Sequence, residues 1–202
     1  DFPAPQGTTA AAHAQAVIDE LVTLIEAAGG RTLALFTTTR ALTEAAAAIR
    51  ERTDHRVLVQ GEAPPRHLVR DFAADESSCL FATTSFWQGV DVPGAACSLV
   101  VIDKLPFPRP DDPLAVARRE AADAHSGDGF TDVYVARAAV LLAQGVGRLI
   151  RSSADRGVVA VLDPRLSTKA YGRLLLASLP PFRVWHDRDV VVGALQRLAR
   201  RD

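Results

Sequence analysis

The 202-residue chain has no methionine, two cysteines and five histidines, and each scarcity narrows the possible functions. Cys79 and Cys97 form no CxxC pair and lie in apolar, strand-like segments, which predicts buried free thiols. The histidines are scattered without HExxH spacing, which argues against a metal site. Because there is no signal peptide and no apolar run of membrane-spanning length, we expect a cytoplasmic protein. The missing initiator methionine predicts a piece of a longer protein.

Neither sign of charge is in excess, because the chain has 23 basic and 24 acidic residues and a net charge of −1. A surface for nucleic acid must therefore be a local patch rather than a property of the whole chain. No glycine directly precedes a lysine, so a Walker P-loop is absent. By itself, the chain therefore cannot bind the phosphate groups of a nucleoside triphosphate through a P-loop.

Strand-like and helix-like segments alternate along the chain. We expect buried strands at 32–37, 56–60, 78–83, 97–103 and 157–163. We expect helices at 9–28, 38–52, 66–73, 133–150, 168–179 and 187–201. This alternation is typical of an α/β domain whose mostly parallel sheet is covered by helices on both faces.

The longest stretch without a predicted helix or strand begins with residues 104–113 and ends with residues 125–130. We predict that it is a functional loop. Ligands of open α/β sheets bind at the carboxyl ends of the strands. The segments "TTTR" (37–40), "TTSFWQGVD" (83–91) and "DKLPFPRP" (103–110) each follow a strand directly. We therefore expect these three segments to share one rim of the sheet.

The stretch "QGVGRLIRS" (144–152) carries an amide and two guanidinium groups at helical spacing. Gln144, Arg148 and Arg151 fall on one stripe, and the apolar residues between them face the other way. Guanidinium groups suit phosphate oxygens, which predicts a phosphate site. Cations also favour the carboxyl end of a helix for dipole reasons, and spacing alone leaves both interpretations open. A dinucleotide-binding motif is excluded, because Ile150 stands where its third glycine is needed.

Two further stretches could contact phosphate groups. The hydroxyl run of "TTSFWQGVDVPG" (83–94) suits phosphate contacts, but the stretch can also be an ordinary loop, which is the interpretation that Phe86 and Trp87 favour, with Trp87 packed in the core. Thr37–Thr39 can likewise form a phosphate site or cap the following helix. The pairs Arg118–Arg119 and Arg200–Arg201 are expected on solvated helix faces.

Taken in order, "LALFTTTRAL", "FWQGVDVPG", "VVIDKLPFPRPDDPL", "QGVGRLIRS" and "VVAVLDPR" resemble the second RecA-like motor lobe of the DinG/XPD-like superfamily 2 helicases. The resemblance covers about residues 30–185. "FWQGVDVPG" is similar to motif V of that family and "QGVGRLIR" to its motif VI. The fold implied is a RecA-like parallel sheet with helices on both faces.

The resemblance implies an ATP-dependent DNA helicase of 5′-to-3′ polarity. ATP with Mg²⁺ would lie between two lobes, held mainly by the first lobe, which is absent here. Arg148 and Arg151 would be arginine fingers, and Gln144 would lie near the terminal phosphate. Gly89, Asp91 and Gln88 would line the nucleotide side of motif V, although the family commonly has glutamate at the position of Gln88.

The resemblance also implies a track for single-stranded DNA, contacted by four residues: Thr38, Arg40, Thr84 and Trp87. We expect residues 1–8 to be a linker from the absent N-terminal lobe and residues 9–202 to be the second lobe. That first lobe would hold the P-loop, the DExH box and, where present, the iron–sulfur cysteines. The chain alone is then expected to be inactive, with single-stranded DNA and the first lobe as its partners.

A bacterial protein acting at the nucleoid fits this resemblance best, without a membrane partner. One alternative is the DNA-binding module of a degenerate or nuclease-coupled helicase relative that does not unwind DNA. Another is a free-standing α/β interaction domain, against which the missing methionine and missing P-loop both count.

Overall fold

The computed structural model describes residues 2–83, 86, 97–149 and 156–200. Within these residues, five parallel strands form one sheet in the order β2-β3-β1-β4-β5. The strands are β1 (Thr32–Phe36), β2 (Val57–Val59), β3 (Cys79–Thr83), β4 (Leu99–Ile102) and β5 (Val158–Val161). Each lies inside its predicted segment, so the predicted α/β class and parallel sheet are confirmed.

Eight α-helices accompany the sheet in the described part of the chain. They are α1 (Ala10–Ala28), α2 (Thr39–Arg52), α3 (Pro65–Ala74), α4 (Pro113–Ser126), α5 (Ala136–Val146), α6 (Arg165–Thr168), α7 (Tyr171–Ala177) and α8 (Arg188–Ala199). None of the helices among the described residues combines the length and apolarity needed to cross a membrane.

Alternate side chains of the strands enter two separate cores, one on each face of the sheet. Leu33 and Leu80 pack on the face covered by α3, α5 and α7. Ala34 and Phe81 pack on the face covered by α1, α2 and α8. Because successive strand residues point to opposite faces, a strand buried on both faces must be apolar throughout. The continuous apolar runs in the sequence follow from this requirement.

The prediction of an irregular stretch between residues 104 and 130 was wrong for the middle of that stretch, where α4 forms. Asp112 caps this helix, because its carboxylate accepts hydrogen bonds from the N–H groups of Leu114 and Ala115. Pro113 occupies the first turn, where its missing N–H costs nothing. The helix ends at Gly127, whose positive φ of 81° is the left-handed conformation that glycine adopts at little cost.

The single helix predicted over 133–150 was also wrong. A π-helix spans Phe130–Val135, α5 follows it, and residues 147–149 form a turn. The N–H of Ala136 donates to the carbonyl of Thr131, five residues earlier. β-Branched and aromatic residues of low helix propensity fill this segment. The wide turn stacks the rings of Phe130 and Tyr134 with centroids 5.8 Å apart.

Candidate functional site

The carboxyl ends of β1 and β4 meet at one rim of the sheet, as expected from the parallel pairing of these strands. Asp103, directly after β4, accepts hydrogen bonds from Thr37, directly after β1. The donors are the backbone N–H at 2.9 Å and the hydroxyl at 3.3 Å. Burial raises the pKa of Asp103 to about 7, although the nearby Lys104 ammonium acts in the opposite direction. Asp103 therefore fixes the first residue of the "TTTR" segment.

A second carboxylate, Asp163 after β5, holds the segment that follows β4. It accepts a hydrogen bond from the N–H of Leu105 at 2.8 Å and pairs with Arg165 at 2.6 Å. Burial acts to raise the pKa of Asp163, but the hydrogen bonds from Arg165 and Leu105 outweigh it and hold that pKa below its usual value. The Arg165 guanidinium also lies 5.4 Å from the ring centroid of Phe107. Asp163 thus fixes the start of the "KLPFPRP" segment at the rim.

Thr38 and Arg40, two of the predicted DNA contacts, lie at the start of α2. The hydroxyl oxygen of Thr38 accepts a hydrogen bond from the N–H of Ala41 at 3.2 Å, which confirms the predicted threonine cap. The side chain of Arg40 is 87% exposed and pairs with Glu44 one turn later. An exposed guanidinium at the amino end of a helix can contact a phosphate, since a surface pair with Glu44 holds it only weakly.

Gln144 lies exposed in the last turn of α5, and Arg148 is half-buried in the turn that follows. Val146 lies between these two residues in the sequence, and Leu149 directly follows Arg148. Val146 is 1% exposed and Leu149 is 0% exposed, and both pack in the core. The predicted burial of the two apolar side chains is confirmed, whereas the helical stripe is not, because residues 147–149 form a turn. Arg151 and Ile150 lie outside the described residues.

Most of the predicted motif V also lies outside the described residues. This applies to Thr84, Trp87, Gln88, Gly89 and Asp91. Phe86 is described, and it is 6% exposed in the core on the α3 and α5 face of the sheet. Phe86 thus packs in the core and offers no free aromatic face.

A concave surface that the sequence analysis did not identify lies between the rim and the start of α5. It encloses about 490 Å³ and is lined by three arginines, Arg109, Arg118 and Arg137, together with Thr37. We call this concavity, with Phe107, Leu114 and Leu141 also in its wall, the arginine groove. Its arginines come from the segment after β4, from α4 and from α5, so no local sequence pattern could have grouped them. For Arg118, the sequence predicted only a position on a solvated helix face.

Cys79 and Cys97 are buried free thiols, as predicted. Burial raises the pKa of the Cys79 thiol to about 12, which keeps it protonated and makes it a poor metal ligand. Two such thiols do not fit a four-cysteine iron–sulfur cluster. In the parts of the chain that the structure describes, no three His, Cys, Asp or Glu side chains group in a way that could hold a metal ion.

Comparison with known proteins identifies the family of this chain. A family model described as the helicase C-terminal domain matches residues 21–182. A protein of Mycobacterium tuberculosis named ATP-dependent helicase DinG is 55% identical over 185 residues, covering 92% of this chain and 28% of that protein. A Haemophilus influenzae protein named ATP-dependent DNA helicase YoaA is 44% identical over 176 residues, covering 87% of this chain and 28% of that protein.

A solved structure titled XPD helicase has the same fold. It superposes with a TM-score of 0.62 at 18% sequence identity, covering 85% of this chain and 32% of that one. The chain spans just over a quarter of the length of the DinG and YoaA relatives named above. The predicted RecA-like fold is confirmed by this likeness. The chain belongs to the helicase C-terminal domain family, as a C-terminal helicase lobe of the DinG/XPD-like kind.

Proposed function

We propose that this chain is the C-terminal motor lobe of an ATP-dependent 5′-to-3′ DNA helicase, with Arg148 and Arg151 as its arginine fingers. The observation that carries the proposal is the end of α5, where Gln144 is exposed and Arg148 half-buried while Val146 and Leu149 are fixed in the core. A guanidinium group on such an anchored segment keeps its position as charge develops on a phosphate. This preorganisation is what an arginine finger requires.

This chain has no P-loop, and the proposal assigns the main ATP-binding groups to the first lobe of the full-length protein. When water attacks the γ-phosphorus and ADP leaves, negative charge on the phosphate oxygens would be stabilised by the guanidinium groups of this lobe. The same attraction favours closure of the two lobes around ATP, and it is lost after hydrolysis. Repeated closure and opening would move single-stranded DNA along the rim that contains Thr38 and Arg40.

The remaining proposed contacts follow the resemblance in motif V. Gly89, Asp91 and Gln88 would lie on the nucleotide side, and Thr84 and Trp87 would lie on the DNA side. Mg²⁺ would be bound with ATP, mainly by groups of the first lobe. The exposed Arg40 side chain supports a DNA contact at the start of α2, because its charge is accessible to a phosphate.

The test is DNA-stimulated ATPase activity in the full-length protein, measured for the wild type and for Arg148→Ala and Arg151→Ala separately. An arginine finger contributes about 10³–10⁵ in rate, so either variant should lose at least about 10³-fold while DNA binding is retained. Arg66→Ala, which removes an exposed arginine from α3, is the matched control and should keep wild-type activity.

Activity within about tenfold of the wild type in both finger variants would refute the finger assignment. The alternative function, a DNA-binding module that does not unwind DNA, predicts a different result. In that case the wild-type full-length protein itself would bind single-stranded DNA but show no DNA-stimulated ATPase activity.

A further inference from the structure

His13, in the first turn of α1, is a buried imidazole whose two ring nitrogens have unequal surroundings. Its side chain is 0% exposed. Nδ1 lies 2.9 Å from the carbonyl oxygen of Pro3, and because a carbonyl can only accept, Nδ1 carries a hydrogen and donates it. As a neutral imidazole, His13 is then the tautomer whose Nε2 is a bare acceptor. Nε2 is buried as well, and within the described part of the chain no group donates a hydrogen bond to it.

A small cavity beside His13 offers room for the missing donor. It lies between α1, α2 and the residues that follow β4, and it encloses about 20 Å³. A water molecule needs about 10–15 Å³ by this measure. Leaving a buried acceptor without a donor costs the hydration that it had in the unfolded chain, so buried polar atoms in proteins are usually paired with a protein group or with water. The cavity therefore has the size for one water molecule and excludes a bulkier ligand.

The cavity wall includes polar side chains from three elements. His13 comes from α1, Glu44 from α2, and Asp103 and Lys104 from the segment after β4, and the remaining lining is apolar. Glu44 is exposed and pairs with Arg40 at 2.7 Å. Asp103, in contrast, is 2% exposed and buried like His13. Among these polar groups, Asp103 is thus the one that shares the buried side of the cavity with the imidazole.

A water molecule between these two side chains can satisfy both, whether Asp103 is protonated or ionised. Burial raises the pKa of Asp103 to about 7, so both forms occur near neutral pH. The protonated carboxyl group donates to the water oxygen, and the water donates to Nε2 of His13. The ionised carboxylate accepts one hydrogen of the water, and the other hydrogen goes to Nε2. In both cases Nε2 receives the donor that the protein itself does not supply.

The other side of the His13 ring holds the chain that precedes α1, which we call the N-terminal segment (residues 2–9). Nδ1 binds the carbonyl of Pro3, as described above. The hydroxyl of Thr9 donates to the carbonyl of Ala4 at 2.8 Å, which folds the segment back toward the start of α1. His13 therefore contacts the N-terminal segment through one nitrogen and the cavity through its other side.

We propose that one water molecule bridges Nε2 of His13 and the carboxyl group of Asp103, and thereby links the N-terminal segment to the rim of the sheet. The contacts run from Pro3 through His13 and the water to Asp103, which holds Thr37. A displacement of the N-terminal segment is then transmitted to Thr37 through a single side chain, one water and one carboxylate. This inference goes beyond the proposed function and does not require it, because every contact lies within the lobe.

Two variants of His13 separate the two halves of the link in the full-length protein. His13→Asn places an amide N–H near the position of Nδ1, so it keeps the bond to Pro3 and loses the acceptor at Nε2. His13→Gln places an amide carbonyl near the position of Nε2, so it keeps the acceptor and loses the bond to Pro3. Hydrogen–deuterium exchange of a peptide covering residues 36–42, read by mass spectrometry, reports on the rim. The rate of proteinase K cleavage within residues 2–9 reports on the N-terminal segment.

The two variants should have opposite effects. His13→Asn should raise the exchange rate of residues 36–42 by about fivefold, as expected for the loss of one ordinary hydrogen bond, and leave cleavage within residues 2–9 unchanged. His13→Gln should raise that cleavage rate by about fivefold and leave the exchange rate unchanged. Gln15→Asn shortens an exposed amide on the same helix and is the matched control, which should keep both wild-type rates.

Equal increases at both ends in both variants would overturn the proposal, because His13 would then act only as a packed core residue. Unchanged exchange of residues 36–42 in His13→Asn would overturn it too. Lys104→Met tests the other possible donor in the cavity wall and should leave the exchange rate at its wild-type value. A rise like that expected for His13→Asn would assign the donor to the Lys104 ammonium group and exclude the water. Failure of the proposed function leaves all these rates unaffected, since neither measurement involves ATP or DNA.

Discussion

Asp103 and Thr37 join the ends of two neighbouring strands through two hydrogen bonds to one carboxylate. Asp103 is 2% exposed, and it binds both the N–H and the hydroxyl of Thr37. The next residue, Thr38, caps α2. A buried carboxylate therefore fixes the position from which α2 and the proposed DNA contacts begin.

The first prediction is a pH dependence of stability that originates at Asp103. Its pKa is 3.8 as an unperturbed group and about 7 in the folded chain, so the folded state binds more protons between these values. Its contribution to stability is therefore complete below pH 3.8 and is lost as the pH rises through about 7. Asp103→Asn keeps an acceptor for the Thr37 N–H and cannot titrate. Between pH 3.8 and about 7, urea unfolding should give a slope of the free energy of unfolding against pH that is more positive for this variant than for the wild type, by at most about 1.4 kcal/mol per pH unit.

Asp54→Asn, at an exposed position, is the control for this experiment and should reproduce the wild-type profile. If Asp103→Asn and the wild type have parallel profiles between pH 3.8 and about 7, the raised pKa of Asp103 is contradicted.

The second prediction concerns the ion pair between Asp163 and Arg165, whose side chains are 0% and 15% exposed. Asp163→Asn leaves the guanidinium without its counter-charge and should lower the free energy of unfolding by about 3–5 kcal/mol. Because the pKa of Asp163 is lowered, its contribution is present above the unfolded pKa and is lost as the pH falls through the folded one. Urea unfolding near neutral pH measures the loss.

Glu62→Gln, which breaks the more exposed pair with Arg50, should cost at most about 1 kcal/mol in the same assay. Replacing both partners, as Asp163→Asn/Arg165→Met, should cost less than Asp163→Asn alone, because no unpaired charge remains buried. A double variant that is less stable than the single one would show that the pair does not account for the loss.

The third prediction compares two glycines that both have positive φ. Gly30 has φ of 84°, and a Cβ added there would overlap the backbone carbonyl of Ser77. Gly61 has φ of 100°, and an added Cβ would meet nothing within 4 Å. Gly61→Ala should therefore cost about 1–2 kcal/mol from backbone strain alone. Gly30→Ala should cost at least about twice as much by urea unfolding, and equal losses in the two variants would exclude the close approach to Ser77.

The fourth prediction is that the 202-residue chain alone binds ATP weakly and does not hydrolyse it. Its sequence has no P-loop, and the proposed fingers need a triphosphate held by another lobe. Isothermal titration of ATP into the isolated chain should give no saturable binding at micromolar ligand, whereas the full-length protein should bind. Tight binding by the isolated chain would contradict the two-lobe proposal.

Local sequence patterns were sufficient for most of the fold. Apolar runs predicted all five described strands because a parallel sheet covered on both faces cannot place polar side chains in its strands. Thr38 was predicted as a cap because a hydroxyl before a helical run satisfies a free N–H. The motif order from "LALFTTTRAL" to "VVAVLDPR" predicted the helicase lobe, which the family match and the XPD-like fold confirm.

Secondary structure was predicted less well where the sequence gives only weak and competing conformational preferences. The π-helix before α5 was missed, because six residues offer too few apolar positions to distinguish its wider turn from an α-helical turn. Helix α4 was missed because the prolines and glycines at its ends suggested a loop, although Pro113 and Gly127 are typical helix-boundary residues.

The sequence by itself determined the five buried strands and the burial of Val146 and Leu149 beside the polar Gln144 and Arg148, because each depends on the pattern within one segment. Only the tertiary structure decided that Asp103 holds Thr37 and that Asp163 holds Leu105. The same is true of the arginine groove, whose side chains come from three separate segments. Such groups are brought together by strand order and helix packing, which are set by the burial of apolar residues elsewhere in the chain.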